Sequence, residues 1–357
     1  MHPAATPDAV NAIAARLSAQ PAIGLDTEFL RERTYHAQLC LLQLSWAEGA
    51  ACVDPLAVPD LAGLRAAIGA PAVKVLHASR QDLEVLVPVV GAVRPLFDTQ
   101  LAAALAGEAA QIGYAELVRR LLGHELAKAH TRTDWSRRPL SAEQIEYALD
   151  DVRHLLPLKA ALEERLERLG RLSWLAEELA TLEDPAALSV DPDQAWRRLK
   201  GLAGLDPGRQ RLLAALAAWR ERRALERNRP RGWILEDGLV REIVLRVPRT
   251  SAALGAIEGM PPGLLERCGA QLLECVRAAE VPEPAPAVMR PRPDPQHSAL
   301  LKKLGAIHRA AAAELGMSPE VLATRRDLDQ LAAGGRDTPV LTGWRRTVLG
   351  EKLLAAL

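Results

Sequence analysis

The pattern of apolar and polar positions divides this 357-residue chain into a first part that carries strands and a second part that does not. Short apolar runs bounded by turn-forming residues predict strands at 22–29 (AIGLDTEF), 39–46 (LCLLQLSW), 50–54 (AACVD) and 72–77 (AVKVLH). The first three follow one another closely, which predicts an antiparallel meander. Helical spacing takes over at 79–87, 98–106, 114–122 and 141–168. The last of these starts at Ser141, with Glu143 and Gln144 in its first turn as an N-terminal cap, and Pro157 predicts a kink or a restart. Strands giving way to helices predict an α/β sheet domain that ends near 170–200. From 207 to 280 the pattern is helical and rich in Leu and Ala. Residues 281–296 (VPEPAPAVMRPRPDPQ) hold six prolines in sixteen positions, a semi-rigid linker. Residues 297–357 are helical again. The parse is therefore 1–200, 207–280, a linker at 281–296, and 297–357.

Acidic residues stand out on this framework. In GLDTEF, Asp26 and Glu28 are two apart on a strand, so both carboxylates project from one face, with Leu25 and Thr27 on the other. Asp82 lies in the first turn of the helix opened by HASRQDLEVL, after His77 closes a strand. In YALDDVRHLL, Tyr147 and Asp151 are four apart and share a helix face, whereas Asp150 is rotated by about 100° from Asp151. Each motif alone also fits an ordinary exposed acid or a half-buried tyrosine. Together they describe carboxylates converging on one point. Hard cations such as Mg²⁺ demand that arrangement, and two such ions about 4 Å apart activate a water and stabilise a leaving oxygen in phosphodiester cleavage. A tyrosine hydroxyl beside that water would orient it or help remove its proton.

Composition narrows the picture. With 49% hydrophobic and 25% charged residues the chain has ordinary globular composition, long enough for two or three domains. Four cysteines without CxxC spacing read as core thiols, not as a disulfide framework. No apolar run reaches a membrane-spanning length and no cationic leader opens the chain, so a cytoplasmic location is expected. The net charge is zero, but from Lys200 onward there are 25 Lys and Arg against 18 Asp and Glu. An acidic first part suits cations, and a basic second part suits a phosphate backbone. Residues 127–141 set Lys128, Arg132, Arg137 and Arg138 around Trp135, a combination that suits single-stranded nucleic acid if the tryptophan is exposed. In 209–249, eleven arginines accompany five acids, and Arg222, Arg223 and Arg227 lie between Trp219 and Trp233. His124, His130 and His154 have no metal-ligand spacing.

The strings DTEFLRERTYHAQLCLLQL, HASRQDLEVL, FDTQLAAAL, TDWSRRPL and YALDDVRHLLPL, in this order, resemble the DEDD exonuclease superfamily, tyrosine subclass, and within it the bacterial ribonuclease D family. The helical tail resembles the HRDC module twice, near 207–280 and, more diverged, near 297–357. The resemblance implies an RNase H-like exonuclease domain, a mixed sheet flanked by helices, followed by two small all-α HRDC-like domains. It implies two divalent metal ions, Mg²⁺ or Mn²⁺, held by Asp26, Glu28, Asp82 and Asp151, with Tyr147 positioning the attacking water. It implies trimming of RNA with a free 3′ end, typically precursor tRNA, to 5′-mononucleotides, with no membrane and no obligate protein partner. Thr27 and Phe29, beside Glu28, are expected to meet the terminal nucleotide. A DNA 3′-5′ exonuclease of the same superfamily and an inactive RNA-binding scaffold are the alternatives.

Overall fold

Five strands form one mixed sheet in the computed structural model, which describes residues 2–126, 133–200, 204–282 and 294–357. They are β1 (Ala22–Leu30), β2 (Gln38–Trp46), β3 (Gly49–Val53), β4 (Val73–Leu76) and β5 (Leu96–Asp98), in the order β3-β2-β1-β4-β5. β1, β2 and β3 make the expected antiparallel meander. β4 and β5 run parallel to β1, so each needs a crossover helix. The helices α2 (Ala62–Gly69) and α3 (Arg80–Val90) supply them, after α1 (Pro7–Leu17) has led into β1. Ile23 and Leu25 on β1, and Leu41, Leu42 and Leu44 on β2, are completely buried, as befits central strands covered on both faces.

Five more helices follow: α4 (Thr99–Leu105), α5 (Tyr114–Leu122), α6 (Ala142–Arg153), α7 (Leu155–Leu169) and α8 (Leu172–Glu183). α6 begins with the predicted cap: the Ser141 hydroxyl accepts from the Gln144 N–H (3.2 Å), and the Gln144 side chain accepts from the Ser141 N–H (2.7 Å). The predicted interruption falls at His154, and Pro157 sits in the first turn of α7, where no backbone donor is needed.

The chain separates into two compact units. The first comprises Met1–Leu30, Gln38–Leu188 and Pro293–Leu357. Within it the helices after Pro295 pack on α8: Trp344 stacks on Trp174 at 4.5 Å, its indole donates to Glu178 (2.8 Å), and Arg345 pairs with Glu178. Arg171 donates to the carbonyls of Leu105 and Leu315. The second unit comprises Arg31–Ala37 and Ser189–Arg292, with the helices Pro207–Arg227, Asp237–Arg246 and Pro262–Ala278 around a Leu, Val and Ile core that includes Cys268. Among the described residues no helix is long and apolar enough to cross a membrane.

Candidate active site

The pleat of β1 separates its side chains as the alternation predicts. Asp26 and Glu28 share one face, and a bulge between Glu28 and Phe29 shifts the register there, a device that re-aims side chains next to functional sites. Above this face lies α6, whose buried residues Ile145, Ala148, Leu149 and Val152 pack toward β2 and β3. Gly24 lets the layers close: a Cβ there would fall 2.1 Å from the Ser45 hydroxyl, which donates to the Val152 carbonyl (2.8 Å). This packing brings Asp151 down to β1. One carboxylate oxygen from each of Asp26, Glu28 and Asp151 lies within 4.8 Å of the others. Tyr147, one turn earlier on α6, donates its hydroxyl to Asp151. Asp150 turns outward and pairs with Arg153 (2.5 Å), as its register predicts.

Asp82 is reached from the other side of the β1 pleat. It is buried at the first turn of α3 and accepts a 2.5 Å hydrogen bond from Thr27 Oγ1. It does not join the three-oxygen cluster but acts on it through charge, as the strongest of the anions facing Asp26. Its position is set by Asp98, at the end of β5. Asp98 accepts from the Ala78 and Ser79 N–H groups, the Ser79 hydroxyl, and the N–H groups of Gln100 and Leu101. One carboxylate thus caps α4 and clamps the turn into α3, where Ala78 adopts a left-handed φ of 54°. Tyr114 pins the other wall: its hydroxyl donates to the Asp150 carbonyl (3.0 Å) and accepts from the His154 N–H (3.2 Å). Sequence reasoning missed Asp98 and Tyr114. The signal for Asp98 was its place in FDTQL, just ahead of a helix.

The electrostatics follow from this crowding. Burial, then the charges of Asp82, Asp151 and Glu28, hold the Asp26 carboxyl well above the usual range. Burial with the charges of Asp151 and Asp82 pushes Glu28 up to about 8, burial with Asp150 and Asp82 pushes Asp151 to about 7, and burial with Asp98 pushes Asp82 to about 6. Burial and the facing carboxylates also raise Tyr147, which keeps it a neutral donor. No ion pair reaches any of the four acids among the described residues. Crowded oxygen donors without a counter-charge fit a divalent cation.

The expected RNA contacts fare unevenly. Trp135 is corrected: its ring is only 5% exposed, packs with Cys40, Leu41, Cys52, Ile145, Ala148 and Leu149, and stacks at 6.2 Å on Tyr147. It backs Tyr147 and offers no face to a base. Arg138 is engaged by Asp54 through two bonds (2.6 and 2.8 Å) and by the carbonyls of Cys40, Trp135 and Arg137, so its guanidinium clamps the turn to the end of β3. Thr27 is likewise corrected, being buried and bonded to Asp82. Phe29 is half-buried beside the bulge. Arg137 is exposed and pairs with Asp134. Lys128, Arg132 and His130 lie outside the described residues, as does most of the proline-rich linker. In the second unit, Arg222 pairs with Asp193, Arg223 lies 5.9 Å over the Trp219 ring, and Arg227 is exposed.

Comparison with known proteins gives this geometry its context. A family model described as a 3′-5′ exonuclease matches residues 1–167, and the HRDC domain model matches residues 209–276. A ribonuclease D from Gluconacetobacter diazotrophicus is 43% identical over 98% of this chain and 91% of its own length. A ribonuclease D from Pseudomonas paraeruginosa is 38% identical over 95% of this chain and 92% of its own. The crystal structure of Escherichia coli RNase D, described as an exoribonuclease involved in structured RNA processing, matches with a TM-score of 0.86 and 33% identity, covering 100% of this chain and 99% of that one.

Proposed function

The chain belongs to the ribonuclease D family of 3′-5′ exoribonucleases, and from that premise we propose that it releases 5′-mononucleotides from the 3′ ends of precursor tRNA and other small structured RNAs. The observation that carries the reading is the convergence of Asp26, Glu28 and Asp151 beside a tyrosine that donates to Asp151.

Asp26, Glu28, Asp151 and Asp82 would hold two divalent cations, Mg²⁺ or Mn²⁺. When bound, these supply the Lewis acidity that activates a water and stabilises the leaving 3′ oxygen. The side chains do the rest. The raised carboxyls would release their protons to solvent as a cation took their place, so occupancy of the site and ionisation of these four side chains would be coupled. Tyr147, fixed by Asp151 on one side and by Trp135 on the other, presents its oxygen to the attacking water and orients it for in-line approach. Thr27 keeps Asp82 at a constant position under β1. The arginine-bearing helix Pro207–Arg227 of the HRDC module contacts the phosphate backbone of the RNA body through Arg222, Arg223 and Arg227.

The test is a 5′-labelled RNA hairpin with a single-stranded 3′ tail and its DNA twin, each with Mg²⁺, Mn²⁺ or EDTA, using wild type beside Asp151→Asn. The expected result is a metal-dependent ladder from the RNA 3′ end, faint on DNA and absent in the variant. Equal trimming of DNA would move the enzyme to the DNA-directed branch of the superfamily. Binding of the hairpin without a ladder under any metal would make the acidic constellation a relic on a binding protein.

A further inference from the structure

Gln43 on β2 is completely buried, and neither its Oε1 nor its Nε2 has a hydrogen-bond partner among the described residues. A buried amide left unsatisfied keeps the full cost of its lost hydration, so natural folds rarely keep one without a reason. Its position supplies the reason. Gln43 stands directly opposite Asp26 in the antiparallel β1–β2 register, and directly opposed side chains project from the same face with Cβ atoms about 4.5–5.5 Å apart. Its neighbours on that face of β2 confirm the direction. Leu41 packs with Ala148 and Leu149 of α6, and Ser45 donates to Val152 at the end of α6. The amide is therefore enclosed between Asp26 and the helix that carries Tyr147 and Asp151. Its partner across β3 is Cys52, whose thiol is held neutral by burial and offers only a weak acceptor.

The donors around the other carboxylates show what the amide is for. Asp82 has the Thr27 hydroxyl and Asp151 has the Tyr147 hydroxyl. Both donors are neutral. They orient a carboxylate without adding a positive charge that would displace a cation. Asp26 receives a hydrogen bond from the Thr27 backbone, while Asp82, Asp151 and Glu28 around it are acceptors. The free donor on its face is the Gln43 amide.

We propose that Gln43 is a positioning residue whose carboxamide donates to the Asp26 carboxylate in the cation-loaded site and fixes which oxygen meets the ion. This rests on the cation site proposed above. Partners of this kind typically set metal affinity by about 10–100-fold.

The test measures Mg²⁺ binding by calorimetry, and metal-free thermal unfolding, in wild type, Gln43→Leu, Gln43→Met and Asp26→Asn. The Leu and Met variants remove an unsatisfied buried amide, so their metal-free Tm should equal or exceed that of wild type. Their Mg²⁺ affinity should fall about 10–100-fold, with the Mg²⁺ concentration needed for half-maximal RNA trimming rising in parallel and the rate at saturating Mg²⁺ returning to near wild type. The unbranched methionine matches glutamine in length and carries the test if leucine misfolds. Wild-type affinity in the methionine variant would overturn the inference, as would equal destabilisation of both variants without metal, which would make the amide structural. A wild type that binds no Mg²⁺, like Asp26→Asn, would overturn the cation site itself and the inference with it.

Discussion

The Glu221 pocket of the second unit and the acidic cluster of the first treat buried charge in opposite ways. In the second unit, Glu221 is 1% exposed, yet Arg231 grips both of its oxygens at 2.6 Å and the Tyr35 hydroxyl adds a third bond. Burial alone would raise the Glu221 carboxyl, but Arg231 and Tyr35 hold it below the usual range. Buried Arg209 is satisfied in the same way by Asp206 and by the carbonyls of Val244 and Leu245. In the first unit, Asp26, Glu28, Asp82 and Asp151 sit together with neutral donors only, and every one of them is raised. A compensated charge is a piece of architecture, and an uncompensated group of like charges is a site prepared for a counter-ion.

Removing one member from each region sets the contrast at its widest. Asp26→Asn and Asp151→Asn should each reduce single-turnover RNA trimming by at least about 10³-fold, in the range of losses when one member of a catalytic group is removed, with the fold retained by circular dichroism. In the second unit, Arg231→Ala strands a buried carboxylate and should cost about 3–5 kcal/mol in urea denaturation. Replacing Glu221 and Arg231 together by apolar residues should recover much of that loss. If Arg231→Ala were neutral, the pairing would be incidental and the contrast between the units would fall.

How much of this was legible in the sequence follows from the range of each interaction. The β1 carboxylates and the Tyr147–Asp151 pair follow from periods of 2.0 and 3.6 residues, and the α6 cap spans three residues, so a short window contains them. β5 is three residues long, too short for alternation to register. The Asp98 clamp on Ala78 and Ser79 exists only because β4 and β5 pair in parallel about twenty residues apart. Trp135 misled for a related reason. A tryptophan among cations in a polar segment has the composition of a stacking platform, and only the packing of α6 on β2 and β3 creates the slot that it fills. Gln43 was read as one letter of an apolar strand, because its role depends on the residue opposite.

The raised carboxyls give the comparison a pH signature. In the unfolded chain these groups titrate near pH 4, whereas in the fold Glu28 titrates near 8 and Asp151 near 7. Between those limits the folded, metal-free protein holds more protons than the unfolded one, so its stability falls as pH rises. The Tm of the metal-free protein should therefore carry a downward contribution from about pH 5 to about pH 8, which Mg²⁺ removes. Asp26→Asn, with one charge fewer, should raise the metal-free Tm near pH 8 by a few degrees, each kcal/mol being worth about 2–4 °C at most in a chain of this size, and should abolish the gain on adding Mg²⁺. An Asp26→Asn protein with an unchanged metal-free Tm would mean that the crowding is relieved by solvent and the site is not strained.

The smallest effect concerns cations that face solvent. Reversing Arg222, Arg223 and Arg227 to Glu should weaken RNA binding about equally for unrelated sequences and flatten the dependence of affinity on salt, since each phosphate contact contributes about 0.7–0.9 to that slope. The change should be smaller than three full contacts, because Arg222 already shares its charge with Asp193 in an exposed pair and Arg223 lies over Trp219. Trimming at saturating RNA should keep its rate, which separates a binding surface from the acidic centre. Unchanged affinity at low salt would remove this helix from the RNA surface, and the arginines of the second unit would then be either structural, like Arg231, or simply solvated.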